Sequence, residues 1–408
     1  MPEIAPFRGV LFDKARIDLT RVLSPLPGVA DATARAAAGW IAGGIAVRDV
    51  YKAIYRYSQH FPWAGRTLVR RGVIAAVRLA PTTDARVLSP ERTRAELVDE
   101  RAALLAETRL QVAHPFALYG DASGEVERLL HTVDGKPPTL DVTLADGTRH
   151  VLHRIADAEL IGKVRRALAP KKMLIADGHH RYAAAVTVRD QLDAAAGLSQ
   201  YASPQYAATF LCSGADGGLV VRASHRLVRD LDGFDRARFL ERAREYFVIE
   251  PLRGGATDPG IAEAALADVP GHQPAMVVAF AGEADAYRFI LDAHVNPQAL
   301  GAGNHPVVAR QPVAVLHGIV FERILGLSPA QHEGDGHVRH ATDAAAALAA
   351  LATPGRAQAA FLLPAPTADI LLNVTQSGDT LPPRASWLHP PLAPGIVMSP
   401  LDPDEDLL

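Results

Sequence analysis

Residues 173–176, Met-Leu-Ile-Ala, form a short apolar run, residues 182–195 read as a helix, and between them stands Asp177-Gly178-His179-His180-Arg181. A strand that turns through a glycine straight into a helix is the junction of an α/β protein, so this segment restricts the fold more than any other. The glycine lets the backbone turn tightly and lets a ligand approach the main chain. The helix that follows offers N–H groups without intrahelical partners, and the positive end of its dipole, to an anion. Arg181 adds a planar fork of donors suited to phosphate oxygens, and His179 and His180 can donate hydrogen bonds or move protons near neutral pH. Neighbours on a helix point about 100° apart, so both imidazoles cannot face one atom: one is expected to face the ligand and the other to brace the turn. Asp177 can orient a histidine, hold a magnesium ion, or cap the helix. The same string can also be read as a plain capped turn with two partly buried histidines, but so many costly polar groups in one turn favour a ligand.

Around this junction the chain alternates between helical and strand patterns. Residues 30–46 and 90–108 read as helices, the second capped by Ser89 with Glu91 in its first turn. Residues 69–79 read as a strand closed by the turn Pro81-Thr82-Thr83-Asp84, and residues 140–155 as a hairpin around Asp146-Gly147. A helix over 157–169 leads to the central strand. Beyond Asp230-Leu231-Asp232-Gly233 the pattern restarts with a helix over 235–246, a hairpin of 276–280 with 287–291, and a helix over 313–325. The run Ala359-Ala360-Phe361-Leu362-Leu363 and a helix around 367–376 follow. With 408 residues, two domains are expected, 1–230 and 231–408.

Composition narrows the function. At 49% hydrophobic and 21% charged residues the chain is ordinary for a folded protein, and a formal net charge of -3 gives no bulk attraction to nucleic acid or to an anionic membrane. A nucleic-acid partner is therefore not expected. Cys212 is the single cysteine, which rules out an internal disulfide and a zinc site on paired thiolates and fits a reducing cytoplasm. Residues 1–13 lack the basic start and apolar run of a signal peptide, and the alanine-rich stretches fall far short of the roughly 20 apolar residues of a spanning helix, so a cytoplasmic protein with no membrane segment is expected.

The string Ala176-Asp177-Gly178-His179-His180-Arg181-Tyr182 resembles the signature of a bacterial and archaeal family known as domain of unknown function 1015. The resemblance extends to Ile4-Ala5-Pro6-Phe7-Arg8-Gly9, Glu91-Arg92-Thr93, Phe116-Ala117-Leu118-Tyr119, Ser224-His225-Arg226-Leu227, Val315-Leu316-His317 and Ala359-Ala360-Phe361-Leu362-Leu363. The family's segment is in turn similar to the phosphate loop of the ParB and sulfiredoxin superfamily, which includes free-serine kinases. This implies a ParB/sulfiredoxin-like amino-terminal α/β (α+β) domain with a mixed sheet, followed by a second α+β domain. It further implies Glu91 as general base for a substrate hydroxyl, Asp177, Gly178, His179, His180 and Arg181 holding phosphates, and ATP or ADP with magnesium as cofactor. Phosphoryl transfer needs positioning and charge stabilisation plus one carboxylate to accept a proton, which suits such a set.

The chain departs from the family pattern in places. Pro25-Leu26-Pro27-Gly28-Val29 stands where a Pro-Tyr-Asp-Val segment is usual, Pro90 where a histidine precedes the glutamate, and Val98 where lysine is usual. Near the end Arg384 can replace a lysine, and Pro391 replaces another. Arg8 and the pair His225-Arg226 are further candidates for the phosphate site, the pair being equally readable as a surface feature. His332, His337 and His340 lie in a glycine-rich stretch read as an exposed loop, so no transition metal is expected. Arg70-Arg71 and Arg165-Arg166 read as basic pairs on solvated faces. The expected function is a nucleotide-dependent phosphotransferase acting on a small hydroxylated metabolite, free serine by resemblance. Alternatives are a non-catalytic or weakly hydrolytic nucleotide-binding regulator, and a phosphatase or other hydrolase.

Overall fold

A computed structural model describes residues 3–24, 28–80, 87–89, 91–269, 273–333 and 336–408. The turn at 81–84, Pro90 and Pro25-Leu26-Pro27 lie outside the described residues. The architecture is mixed α/β. In place of two contiguous blocks, the chain forms one compact unit from Met1–Ser89, Thr93–Val220 and Leu388–Leu408, and a second from Pro90–Arg92 and Val221–Trp387.

The first unit is built on a mixed sheet. Its strands, in chain order, are β1 (Ile4–Ala5), β2 (Ile54–Trp63), β3 (Arg66–Arg78), β4 (Val87–Leu88), β5 (Phe116–Tyr119), β6 (Leu140–Thr143), β7 (Arg149–Ile155), β8 (Met173–Asp177) and β9 (Tyr206–Ser213). They lie in the order β4-β8-β5-β9-β3-β2-β7-β6, with β1 paired to β3. β4 runs parallel to β8 and β5 parallel to β9, while the other pairs are antiparallel. The expected hairpin at 140–155 is β6 and β7. β2 escaped the sequence reading because polar residues interrupt its apolar pattern. It joins β3 through Ala64 and Gly65, whose φ values of 47° and 76° give the left-handed pair that a two-residue hairpin loop requires.

Three helices bear on the candidate site: α1 (Ala95–Thr108), α2 (Ala158–Leu168) and α3 (His179–Ala196). Asp157 caps α2 by accepting a hydrogen bond from the Leu160 N–H. α2 then buries Ile161, Val164 and Leu168 in a core that takes Val73 and Val77 from β3, Ile175 from β8 and Leu211 from β9. α1 and α3 pack through Ala102, Ala184 and Val188; small side chains there let the two backbones come close. α1 starts five residues later than the sequence reading placed it. Arg94 stands at its N-cap, so Ser89 does not cap this helix and Glu91 is not in its first turn.

The second unit carries a six-stranded sheet with β10 (His225–Val228), β11 (Phe247–Leu252), β12 (Ala275–Phe280), β13 (Ala286–Leu291), β14 (Val338–Ala341) and β15 (Ala359–Leu362), ordered β11-β13-β12-β15-β10-β14. Alternation along β15 puts Ala360 and Leu362 into a core with the alanine-rich helix Ala344–Ala352. Phe361 points the other way, against Phe239 and Phe321. The helix expected over 313–325 is a short α-helical turn, Pro312–Val315, that widens into a π-helix over Leu316–Ile324.

Arg70, read as exposed, and Arg226, read equally as a phosphate-site or a surface residue, are core residues. Arg70 is 0% exposed and donates to Gln59 Oε1 and to the carbonyls of His389 and Pro390, with its guanidinium 4.9 Å from the Phe116 ring centre. Arg226 is also 0% exposed. Carbonyls from distant parts of each unit satisfy these charges, and no local pattern announces that.

Candidate phosphate site

β8 and β5 pair with a register shift between Ile175 and Asp177, a bulge that re-aims the chain where it leaves the sheet. Gly178 follows with φ 80° and ψ 28°, and α3 begins at His179. A side chain at 178 would face two obstacles. The left-handed conformation is costly for a residue with a Cβ, and that atom would lie 3.0 Å from Pro115 Cα and 3.3 Å from an Arg181 nitrogen. With glycine at the N-cap, no side chain from that position occupies the donors of the first turn. Asp177, read as a possible cap, instead ends the strand.

The cluster divides into lip and interior. Asp177 and Arg181 stand at the surface, their side chains 52% and 42% exposed, with Arg181 Nη1 4.0 Å from Asp177 Oδ2. The same Nη1 donates to the His114 carbonyl at 3.4 Å. His179 is buried at 8% exposure. His180 Nε2 accepts a hydrogen bond from the Arg94 N–H at 3.0 Å, so it ties the start of α3 to the start of α1. Tyr182 continues the anchoring: its hydroxyl accepts from the Ala80 N–H at 3.0 Å and donates to the Ala80 carbonyl at 3.2 Å.

His114 and Pro115, which wall the turn, were not singled out in the sequence, although they directly precede the Phe116-Ala117-Leu118-Tyr119 string. His114 is buried, its ring nitrogens at 3.0 Å and 2.7 Å from the carbonyls of Ala208 and Val397.

The remaining candidates have partners of their own. Arg8 forms an ion pair with Glu405 in the acidic tail and, among the described residues, has no hydrogen bond or ion pair to the 177–181 segment. His225 and Arg226 are not a surface pair. His225 Nδ1 accepts from the Leu363 N–H at 3.1 Å, and Arg226 donates to Ser224 and to the carbonyls of Pro383 and Arg384. Glu91 belongs to the second unit, whereas the 177–181 segment belongs to the first. It is buried, bridges to Leu381, and accepts from the Arg384 N–H at 2.9 Å and from both the N–H and the hydroxyl of Ser386 at 3.1 Å. Val98, standing where lysine is usual, packs against the α1–α3 contact, and the Pro391 carbonyl accepts from Gln59. Cys212 is buried within β9, where burial pushes its thiol well above the ordinary range.

No helix among the described residues is long and apolar enough to cross a membrane. No curated protein matches the chain. Among solved structures, a conserved hypothetical protein from Pyrococcus furiosus is similar at 12% identity, covering 79% of this chain and 94% of that one with a TM-score of 0.38. A free serine kinase in complex with AMP is similar at 12% identity over 79% of this chain and 90% of that one, TM-score 0.40. A truncated SbnI from Staphylococcus aureus is similar at 9% identity over 78% and 86%, TM-score 0.35. The sequence model of the family described as protein of unknown function (DUF1015) matches residues 10–310 of the 408, and the chain belongs to that family.

Proposed function

We propose that the turn at Gly178 binds the phosphate groups of a nucleotide, and that the chain is a nucleotide-dependent phosphotransferase acting on a small hydroxylated metabolite. The observation that carries this reading is the left-handed glycine at the head of an 18-residue helix with Arg181 exposed beside it. Main-chain donors, a helix dipole and a guanidinium fork then act on one anion. Asp177, exposed at the lip, fits a carboxylate ligand of the hydrated magnesium ion that accompanies ATP or ADP, since magnesium keeps several waters and needs few protein ligands. Free serine is the acceptor suggested by the resemblance of the 177–181 string to that of free-serine kinases.

A second reading, a nucleotide-binding regulator without turnover, is favoured by Glu91. Its carboxylate already accepts three hydrogen bonds from Arg384 and Ser386, an arrangement that serves structure, and a general base must keep an oxygen for the substrate proton. One experiment separates the readings. The full chain is incubated with ATP or ADP, magnesium and pooled hydroxylated metabolites, while nucleotide binding is followed by calorimetry in parallel. A phosphorylated metabolite supports the phosphotransferase, binding without product supports the regulator, and absence of binding refutes both.

A further inference from the structure

Four groups in the second unit converge without a role in the phosphate reading. His317 lies on the π-helix Leu316–Ile324, is 4% exposed, and has neither ring nitrogen hydrogen-bonded among the described residues. His332 ends up buried at 1% exposure in the short helix Pro329–Glu333, and not in an exposed loop as the sequence suggested. The rings of His317 and His332 meet edge to face with centres 4.8 Å apart. One donor atom from each of His317, His332 and Glu333 lies within 4.8 Å of the others. We propose that His317, His332 and Glu333 form a binding site for one divalent transition-metal ion of the zinc type, with Glu322 orienting His332.

The hydrogen-bond geometry argues for a cation. His332 Nε2 lies 3.3 Å from Glu322 Oε1. A carboxylate accepts from the protonated nitrogen, so Nδ1 carries the lone pair, and among the described residues this buried Nδ1 has no partner. This carboxylate-to-imidazole contact is the outer-shell device that fixes the tautomer of a metal-ligating histidine. In an α-helix His317 and Glu322, five apart, would point about 140° from each other. The wider π-helical turn brings them closer to one side, and such turns are frequent at functional sites.

The positive charges nearby are engaged. Arg92 pairs with one carboxylate oxygen of Glu333, leaving the other for an ion, and Arg226 is held by Ser224 and by the carbonyls of Pro383 and Arg384. Two imidazoles and a carboxylate with no thiolate suit zinc and similar ions, with coordination positions left for water. Donors around a tetrahedral ion at about 2.1 Å sit roughly 3.4 Å apart, so seating one draws these side chains in by up to about 1.4 Å. The orphaned nitrogens would thereby gain the partner they lack.

The test uses the full chain, stripped by chelator and then titrated with Co2+ and Zn2+, with cobalt d–d absorption, metal content after gel filtration, and thermal stability as readouts. About one equivalent is expected, with a cobalt spectrum of low coordination number and a raised Tm. His317→Ala and His332→Ala should abolish binding. Because those residues are buried and the variants can misfold, Glu322→Gln provides the decisive comparison. Its side chain is 40% exposed, so the metal-free fold should be unchanged by circular dichroism while cobalt affinity falls by about 10–100-fold. No bound metal, an unchanged affinity in Glu322→Gln, or stabilisation by inorganic phosphate in place of metal would overturn the proposal.

Discussion

Gly178→Ala tests the geometry of the phosphate turn most directly, because α3 provides its own control. The helix begins at Gly178, φ 80°, and ends at Gly197, φ 63°, so both ends are left-handed. Their surroundings differ: a Cβ at 197 meets nothing within 4 Å, whereas one at 178 meets Pro115 Cα at 3.0 Å. The left-handed conformation costs a non-glycine residue roughly 1–2 kcal/mol, and Gly197→Ala should lose about that much. At 178 the backbone atom of Pro115 cannot swing aside as a side-chain end would, and overpacking of this kind adds about 1–3 kcal/mol. Gly178→Ala should therefore cost about 2–5 kcal/mol. In a unit of this size each kcal/mol moves Tm by about 2–4 °C, so the two variants should be distinguishable by calorimetry as well as in urea. The same substitution moves the main chain that would face the anion, so nucleotide affinity should fall in Gly178→Ala and persist in Gly197→Ala. Equal destabilisation by the two substitutions, or undiminished nucleotide binding in Gly178→Ala, would refute the idea that the turn is shaped by close approach of Pro115 and serves an anion.

Three further predictions concern single groups. Arg181→Ala removes an exposed side chain, so stability should change by no more than about 0.5 kcal/mol, while loss of a charge-assisted bond worth about 1.5–3 kcal/mol should weaken nucleotide affinity at least tenfold by calorimetry; unchanged affinity would remove Arg181 from the site. Glu91→Gln turns an amide NH2 toward a donor of Arg384 or Ser386 and should destabilise the second unit by about 1–3 kcal/mol in urea denaturation. Loss of turnover with that stability intact would instead favour its role as base. Burial, aided by Arg226, holds the His225 imidazole down at about 4. The unfolded chain, with an imidazole near 6.5, takes up the proton first, so the contribution is complete above pH 6.5 and is lost as the pH falls toward 4. Up to roughly 3 kcal/mol is at stake, His225→Gln should flatten that slope, and an equally steep profile in the variant would count against this account.

Much of the local structure could be read from the chain. The junction of β8 and α3 and the β6–β7 hairpin each depend on rules that act over a few residues: alternation and a glycine that can take positive φ. The same rules singled out the 177–181 segment, in which His180 bonds to the Arg94 N–H.

What a few residues cannot report is who their distant neighbours are. Glu91 looks like a first-turn helix residue until Arg384 and Ser386 claim its carboxylate. Arg70 looks like a surface charge, and Arg226 like a surface or phosphate-site one, until carbonyls more than a hundred residues away enclose them. His317 and His332 belong to two separate stretches of sequence, one apolar and one glycine-rich, and only packing sets their rings edge to face. Sequence by itself determined where backbone conformation and local hydrogen bonding leave little choice. Tertiary structure decided which charges are buried and which groups meet, because desolvation and coordination depend on partners that chain order does not bring together.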